Sequence, residues 1–357
     1  MEQPINTTSI VDMFMHPVFR VKDTVIVEAN QLAQQHQIKP GSNVMDLLVT
    51  GQQEYAAFRG GFLSLAVSVG GVNYIAGVVR HEDSDLFHLR SNTMTPELRT
   101  LALAAQNINQ PLANVMNVAD QFLSQKAILE NPEMRAQAAL MNRSLYQLMR
   151  IIKNMESAGG CNLTKSFDTV NIVSLMSEFL NKAAAMTTAD GKHLDIKLPH
   201  ETIYCLADAV LIERAVYNML SNALKFSPAN STVTVEMTHN SNMLRFSVGN
   251  RSDRKNRDLM ATAYLRYLRE PGFDDGRSGL GLGLSIIQTA AAAHGGALLL
   301  DYPEEDIMRF TMTIAIANNK PGMLSSKIML FDYAGGYDHA LLELSDILSA
   351  SEYADLN

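Results

Sequence analysis

Two asparagines and a lysine stand at helical spacing in the stretch ERAVYNMLSNALKFS. Asn218 and Asn222 are four residues apart, so their side chains lie on one face of the helix that the sequence predicts. Amide oxygens are hard ligands that suit Mg2+, and bound Mg2+ holds nucleotide phosphates. Lys225 follows closely and adds a positive charge for the same phosphates. Two asparagines alone are also typical of a polar helix face, so this interpretation requires a second signal.

The second signal is the stretch GLGLGLSII, in which glycines alternate with leucines and a predicted helix then begins. Glycine lets a backbone approach phosphate groups closely, and the free amides at the start of a helix favour anions. A glycine-rich turn is weak evidence by itself, whereas the two motifs in this order are specific. Together they indicate a phosphate-binding pocket whose glycines are Gly279, Gly281 and Gly283.

Residues 205–300 resemble the Bergerat-type ATPase domain of histidine kinases. NMLSNALKFSP is similar to the N box of that family, and GRSGLGLGLSII is similar to its G2 box. The resemblance implies that ATP and Mg2+ are the cofactors, with Asn222 as the metal ligand and Asn218 in support. It further implies that Lys225 faces the phosphates and that the three glycines anchor a lid over the triphosphate.

One departure from the family lies at the adenine site. The family carries an Asp-x-Gly-x-Gly segment whose aspartate accepts a hydrogen bond from the adenine amino group, and the matching segment here is FSVGNRSD. Asn250 takes the place of the aspartate, and Arg251, Ser252 and Asp253 follow it without glycines. An amide carbonyl accepts the same hydrogen bond without the help of a charge, a loss of roughly 1 kcal/mol. We therefore expect nucleotide binding that is weaker than usual for the family.

A second departure lies ahead of the ATPase domain, where the family carries Ser-His-Glu-x-x-Thr-Pro-Leu and phosphorylates the histidine. The matching stretch is AQNINQPL, with Gln106 at the histidine position and Asn107 at the acidic position. An amide nitrogen has no basic lone pair, so Gln106 cannot be the nucleophile. No histidine occurs between His88 and His193, so a shifted register does not restore the acceptor.

The elements that must position these residues indicate a multidomain α+β chain. Residues 161–318 alternate strands and helices, which predicts an α/β sandwich of the Bergerat ATP-binding type. Residues 91–160 carry two helices with apolar stripes, separated by a break at Asn131-Pro132. One helical hairpin cannot bury both stripes, so we predict a homodimer through residues 95–158 that forms a four-helix bundle.

The two ends of the chain have a different character. Residues 1–90 contain short strands, short helices and a hairpin with a Gly70-Gly71 turn, an order that resembles a PAS sensor domain. Residues 319–357 follow a break at Lys320-Pro321-Gly322 and form a C-terminal tail. Within the tail, HALLELSDIL predicts a short amphipathic helix to which no chemistry is assigned.

Composition narrows the classes of partner and location. The net charge of -8 does not favour nucleic acid or an anionic membrane as a partner. Two cysteines are too few for a disulfide framework or a metal cluster. The first residues lack a basic region followed by an apolar run, and no stretch reaches the length that spans a bilayer. We therefore expect a cytoplasmic protein.

Four functions are compatible with these observations. The first is a degenerate histidine kinase that transmits a signal to a partner without autophosphorylating at the usual site. The second is a kinase acting in trans on a partner histidine kinase chain. The third is a phosphatase for a response regulator, because Gln110 lies where the family often has a Thr or Asn that orients water. The fourth is a serine kinase or anti-sigma factor, a branch that generally lacks the helical hairpin.

Overall fold

The structure is a computed structural model that describes the chain in separate ranges. The described residues are 10–81, 83–91, 96–158, 166–188, 191–240, 242–252, 282–316 and 332–354. They form a mixed α/β fold in which one long sheet runs through most of the molecule. In these ranges no helix combines the length and the apolar character that a bilayer crossing requires.

The first part of the chain forms five antiparallel strands with short helices beside them. Its elements are β1 (Val18–Lys22), β2 (Val25–Ala29), α1 (Gln31–Gln35), α2 (Gln52–Ala57), β3 (Phe62–Val69), β4 (Val72–His81) and β5 (Ser84–Ser91). The strands lie in the order β2-β1-β5-β4-β3. Gly70 and Gly71 join β3 to β4 with φ angles of 59° and 80°. Two-residue hairpin loops of this kind need positive φ, so the predicted Gly-Gly hairpin is confirmed.

Two long helices follow and pack against each other as a hairpin. They are α3 (Pro96–Leu123) and α5 (Pro132–Ala158), and the short α4 (Lys126–Leu129) lies between them. Asn131 caps α5, because its Oδ1 accepts hydrogen bonds from the backbone amides of Glu133 and Met134 at 3.0 and 3.2 Å. The predicted break at Asn131-Pro132 is therefore the point where the second helix begins.

The apolar stripes of this hairpin are only half covered. Leu112 and Ile152 are buried, whereas Val115 and Leu148 of the same stripes are exposed. Other exposed apolar side chains continue along the two helices: Leu103, Ile108, Val118, Phe122, Leu140, Met141 and Ile151. The described part of the chain therefore leaves a long apolar face of the hairpin uncovered.

The remaining strands carry their helices on one side. The elements are β6 (Asp168–Asn171), α6 (Ile172–Thr188), β7 (His193–Lys197), β8 (Tyr204–Ala207), α7 (Ala209–Phe226), β9 (Thr232–His239), β10 (Met243–Arg251), α8 (Leu282–Ala293), β11 (Leu298–Glu304) and β12 (Ile307–Ala315). All six strands expected in this region are present. The sequence did not predict β6, which pairs with β8 in a separate two-stranded sheet.

Strands from both parts of the chain join in one ten-stranded sheet, in the order β2-β1-β5-β4-β3-β11-β12-β10-β9-β7. Antiparallel pairing of β3 with β11 makes the connection. Gly61 lies beside the carbonyl of Leu300, where a Cβ would collide with the backbone. The side chains of Gln288 and Ser64 also form a hydrogen bond across this boundary. The first and second parts of the chain are therefore in direct contact through backbone and side chains.

The end of the chain packs into the core. It contains α9 (His339–Glu343) and a 3-10 turn at Ala350–Tyr353, so the predicted short helix is present. Leu342, Leu344 and Tyr353 are fully or almost fully buried in the same hydrophobic core as α6 and α7. The tail is thus an integral layer of the fold, which its sequence did not indicate.

Candidate functional site

Helix α7 carries the predicted phosphate-binding residues. Asp208 caps its start, because Oδ1 accepts a hydrogen bond from the amide of Leu211 at 3.1 Å. Asn218 is only 2% exposed, whereas Asn222 is half-buried and Lys225 is exposed. The helical spacing places the two asparagines on one face, with the second closer to the surface. The two amides therefore lie on one face of a helix that is present in the structure.

Helix α8 brings the glycine-rich stretch against α7. A Cβ added at Gly283 would lie 2.8 Å from Oδ1 of Asn218, closer than real Cβ contacts. A larger residue at this position would have to displace the Asn218 side chain, so glycine favours this close approach of α8. The structure thus brings the two predicted motifs together at Gly283, while Gly279 and Gly281 lie outside the described residues.

Asn250 lies on the helix-covered side of the sheet. Burial alternates along β10, and Asn250 belongs to the buried set, with only 1% of its surface exposed. Nδ2 donates a hydrogen bond to the carbonyl of Arg251 at 2.9 Å, but Oδ1 is buried and accepts none from the described residues. The buried hydroxyl of Ser252 likewise has no partner within these residues. A buried acceptor without a donor costs about 1–3 kcal/mol, so this place suits a ligand that supplies a donor.

The chemistry of these side chains suits a nucleotide. The Oδ1 of Asn250 needs a donor such as the adenine amino group, and an asparagine side chain provides an oxygen for Mg2+. No described residue hydrogen-bonds the side chain of Asn222, and Lys225 is accessible for a phosphate. Ser252, close to Asn250 in the chain, is a further buried polar group that the sequence analysis did not single out.

A buried ionic cluster beside Asn218 was not anticipated. Glu343 of the tail is fully buried, and its Oε1 accepts a hydrogen bond from Nε of Arg214 at 3.0 Å. Its Oε2 accepts one from Nδ2 of Asn218 at 3.3 Å and lies 3.6 Å from Nε of Arg150. Tyr333 donates its hydroxyl to Oε1 at 3.3 Å. The carboxylate thus connects the tail, the hairpin helix α5 and the amide face of α7.

A second ionic contact holds the tail to α7. Nδ1 of His339 lies 2.9 Å from Oε2 of Glu213, and its Nε2 lies 3.4 Å from Oδ1 of Asp332. Burial lowers the pKa of His339, but the two carboxylates outweigh burial and hold that pKa above its usual value. Burial raises the pKa of Glu213, and His339 partly opposes this rise. The histidine is therefore favoured in its charged form when the tail is in place.

The three residues predicted on the hairpin lie on α3. Gln106 is half-buried, and Asn107 and Gln110 are exposed. Nε2 of Gln110 donates to Oδ1 of Asn114 at 3.3 Å. Among the described residues, no hydrogen bond or ion pair links these three side chains to α7. The structure therefore presents them on the surface of the hairpin, apart from the predicted nucleotide site.

Part of the chain matches a known family of ATPases. Residues 207–323 match the family model described as Histidine kinase-, DNA gyrase B-, and HSP90-like ATPase. This range contains α7, β9, β10, α8, β11 and β12, and Asn218, Asn222 and Asn250 lie within it. Among solved structures, full-length ShkA in complex with AMPPNP is similar over 63% of this chain and 47% of its own, with 23% identity and a TM-score of 0.47.

Curated relatives extend the match beyond the ATPase module. The sensor protein KdpD of Clostridium acetobutylicum is 28% identical over 59% of this chain and 23% of its own length. The adaptive-response sensory kinase SasA of Prochlorococcus marinus is 24% identical over 68% of this chain and 63% of its own. The sensor protein kinase PmrB of Pseudomonas aeruginosa is 26% identical over 63% and 46%. Each relative is thus matched over less than two thirds of its length. The ATPase model and these relatives together support assignment of the chain to the sensor histidine kinase family.

Proposed function

We propose that this chain is a cytoplasmic signalling protein of a two-component system that binds Mg-ATP but does not phosphorylate itself at the usual site. Gln106 carries the proposal. It occupies the position of the acceptor histidine, and an amide nitrogen cannot attack phosphorus. The sequence offers no histidine elsewhere in the hairpin.

Nucleotide binding would rest on four side chains. Asn222 would hold Mg2+, with Asn218 in support, and Lys225 would face the phosphates. Bound Mg2+ supplies the positive charge that holds the phosphate groups in place. Asn250 would accept the adenine amino group through an oxygen that lacks a donor among the described residues. Gly279, Gly281 and Gly283 would anchor the lid.

The proposed organisation has four parts: a PAS-like sensor at 1–90, a dimerisation hairpin at 91–160, an ATP-binding domain at 161–318 and a tail at 319–357. The first hairpin, the short helices and the closing strands in residues 18–91 support the PAS-like assignment. The uncovered apolar face of α3 and α5 supports a dimer through residues 95–158, because a second hairpin would bury it as a four-helix bundle.

A phosphatase is the second candidate, and one observation favours it. Gln110 is exposed on α3 one helical turn beyond Gln106, so its amide is accessible to a docked partner. An amide there can orient the water that attacks an acyl phosphate on a response regulator. Its present contact with Asn114 is a single surface hydrogen bond, which can be exchanged for water.

The deciding experiment incubates the purified protein with labelled ATP and Mg2+. It is run alone, with a separately phosphorylated response regulator, and with an acceptor histidine kinase whose own ATPase domain is inactive. The proposal expects no label on this chain. Loss of label from the regulator, abolished in Gln110→Ala, identifies the phosphatase, and label on the second kinase identifies action in trans. Stable label on this chain would contradict the proposal.

The nucleotide site has its own test. Calorimetry should show Mg-dependent binding of ATP or ADP, and Asn222→Ala should remove the metal-dependent part. Asn181→Ala, at an exposed position of α6, provides a control for the loss of an asparagine elsewhere. Absence of binding in both the wild-type protein and Asn250→Asp, and also when the charged tail contact is removed in Glu343→Gln, would show that the pocket is vestigial.

A further inference from the structure

The tail is held on the surface of α5 by polar contacts to its backbone. Arg143 and Gln147 donate to the carbonyl of Ser345 at 3.2 and 3.1 Å. Asn142 donates to the carbonyl of Tyr353 at 3.1 Å. The hydroxyl of Tyr353 donates to the carbonyl of Leu341 at 2.7 Å and closes the tail on itself. The tail therefore has a defined seat on the hairpin.

The charged part of the tail contact involves Glu343 and helix α7. Glu343 is fully buried, and Arg214 and Arg150 neutralise its carboxylate from two helices. Arg214 also donates to Oδ1 of Asn154 at 2.8 Å and to the hydroxyl of Ser157, both on α5. A buried carboxylate is stable only when paired in this way, so the site is built to bind a carboxylate.

The carboxylate of Glu343 lies against the face of α7 that carries the proposed nucleotide-binding residues. Arg214, Asn218 and Asn222 lie at intervals of four residues and so share one side of α7. Nδ2 of Asn218 is committed to the carbonyl of Arg214 at 2.8 Å and to Glu343. Gly283 packs against its Oδ1, so Asn218 has almost no exposed surface. A triphosphate at Asn222 would bring further negative charge beside Glu343 in a buried setting, where like charges repel strongly.

We propose that residues 332–354 act as an intramolecular competitor of Mg-nucleotide, with Glu343 as the group that occupies the Arg214–Asn218 face of α7. This inference rests on the nucleotide site proposed above. Binding of Mg-nucleotide then requires release of the tail, and release of the tail also removes one of the links between α5 and α7. Nucleotide binding would therefore weaken the contact between the ATPase module and the hairpin.

The test uses the full chain and a non-hydrolysable Mg-ATP analogue in calorimetry. Glu343→Gln keeps the shape of the side chain and removes the charge that Arg214 and Arg150 neutralise. We expect it to tighten nucleotide binding by about 5- to 150-fold, the range usual for coupling between two sites. Glu352→Gln is the matched control, because Glu352 lies on the tail and forms no hydrogen bond or ion pair with α7 within the described residues. Its affinity should equal that of the wild type.

Hydrogen exchange on the wild-type protein gives a second readout that requires no variant. Amides of residues 338–354 should exchange faster when Mg-nucleotide is saturating, because the released tail loses its backbone contacts. Equal affinity of the wild type and Glu343→Gln, or unchanged exchange of the tail, overturns the competition and leaves the nucleotide site standing. Absence of nucleotide binding in all three proteins overturns the nucleotide site and the competition together.

Discussion

Asn250 provides an acceptor in a place where an uncompensated charge would be expensive. Its side chain is almost fully buried, and among the described residues its Oδ1 has no donor. By the family resemblance an aspartate would stand at this position, where this chain carries an amide. An amide at this buried position avoids an unpaired charge, and at the proposed adenine site it would give up the stronger, charge-assisted hydrogen bond.

Asn250→Asp should therefore change affinity and stability in opposite directions. We expect about tenfold tighter Mg-nucleotide binding, since hydrogen bonds to a charged group are worth about 1–2 kcal/mol more than neutral ones. The nucleotide-free variant should melt at a lower temperature, because it buries a carboxylate without a partner. Calorimetry and thermal unfolding measure the two effects, and Asn250→Leu, which cannot accept, should bind more weakly than the wild type.

Gln106→His alone should not give an efficient autokinase. The imidazole would be largely neutral at pH 7, so the lone pair is available. The missing group is the acidic neighbour that holds the ring and stabilises the charge that develops during attack, which Asn107 does not provide. Groups of this kind are worth about 10²–10⁴-fold in rate.

The measurement compares labelling rates of Gln106→His with those of the double variant Gln106→His, Asn107→Glu. The double variant should label faster, and Asn107→Glu alone provides the baseline without a nucleophile. Equal rates in the single and double variants would exclude the acidic neighbour as the limiting loss. Failure of both to label, with nucleotide bound, would place the defect in the ATPase module or in the seat of the tail.

At the scale of elements, α9 is fixed to α7 by a contact that titrates. His339 lies between Glu213 of α7 and Asp332 of its own segment, and the ring of Tyr333 packs against it. Lys182 of α6 pairs with Asp338 next to it at 2.6 Å. Because the pKa of His339 is raised in the folded protein, the protonated ring stabilises the folded state. This contribution is complete below the unfolded value of 6.5 and is lost as the pH rises through the folded value.

The stability of the wild type should therefore fall as the pH rises above about 6.5, and His339→Gln should remove this part of the pH dependence. The pKa of Glu213 is raised from 4.5, so its ionisation lowers the free energy of unfolding as the pH rises above about 4.5. This effect begins at a lower pH than that of His339. Urea unfolding of both proteins between pH 6 and 9 separates the two. Parallel stability curves for wild type and variant across that interval would show that His339 does not contribute.

The first module contains a largely buried ion pair whose loss should be destabilising. Arg80 donates to Asp85 through Nε at 2.7 Å and Nη2 at 2.8 Å, and Tyr55 donates its hydroxyl to the same carboxylate at 3.0 Å. Removal of the carboxylate leaves a guanidinium and a hydroxyl without their partner. Asp85→Ala should cost about 3 kcal/mol of unfolding free energy, at the lower end for buried pairs because Arg80 is partly accessible.

Asp83→Ala is the control for this change. Asp83 pairs with Lys22 at the surface, and both side chains are largely exposed, so the melting temperature should be nearly unchanged. Thermal unfolding of the three proteins gives the comparison. A similar loss for both variants would show that burial does not strengthen the Arg80–Asp85 pair.

The local elements of this chain could be predicted because each has its own periodicity. The buried stripe of α7, the proline and asparagine at the start of α5 and the Gly70-Gly71 hairpin are all encoded within a few residues. The seat of the tail could not be predicted. Glu343 and Arg214 are far apart in the chain, and a glutamate in a short polar-apolar segment usually faces water.

At the scale of the whole molecule, the exposed face of the hairpin predicts the assembly. Val118 and Phe122 lie on α3 among the apolar side chains that the described chain leaves uncovered. Light scattering at micromolar concentration should give the mass of a dimer for the wild type and of a monomer for Val118→Glu, Phe122→Glu. Val72→Glu changes an exposed apolar residue outside the hairpin and should remain dimeric. A wild-type monomer would contradict the assignment of this face.

The joint between β3 and β11 also lay beyond sequence analysis, because strand pairing at a sheet margin uses backbone groups that every residue possesses. The sequence indicates the strands themselves and their alternating burial. It does not indicate that Leu298–Leu300 pair with Phe62–Ser64 from the beginning of the chain. Only Gly61, whose absent Cβ permits the close approach to Leu300, is a local sign of the contact.

The pairing of β3 with β11 also affects the tendency of the protein to aggregate. Strand β11 would be the outermost strand of the ATPase sheet without β3, and it contains three consecutive leucines. An uncovered edge strand of this kind is a template on which other chains add and aggregate. By pairing with β11, strand β3 of the first module therefore covers this edge of the ATPase sheet. We expect a proteolytic fragment that lacks residues 1–90 to expose the edge of β11 and to aggregate.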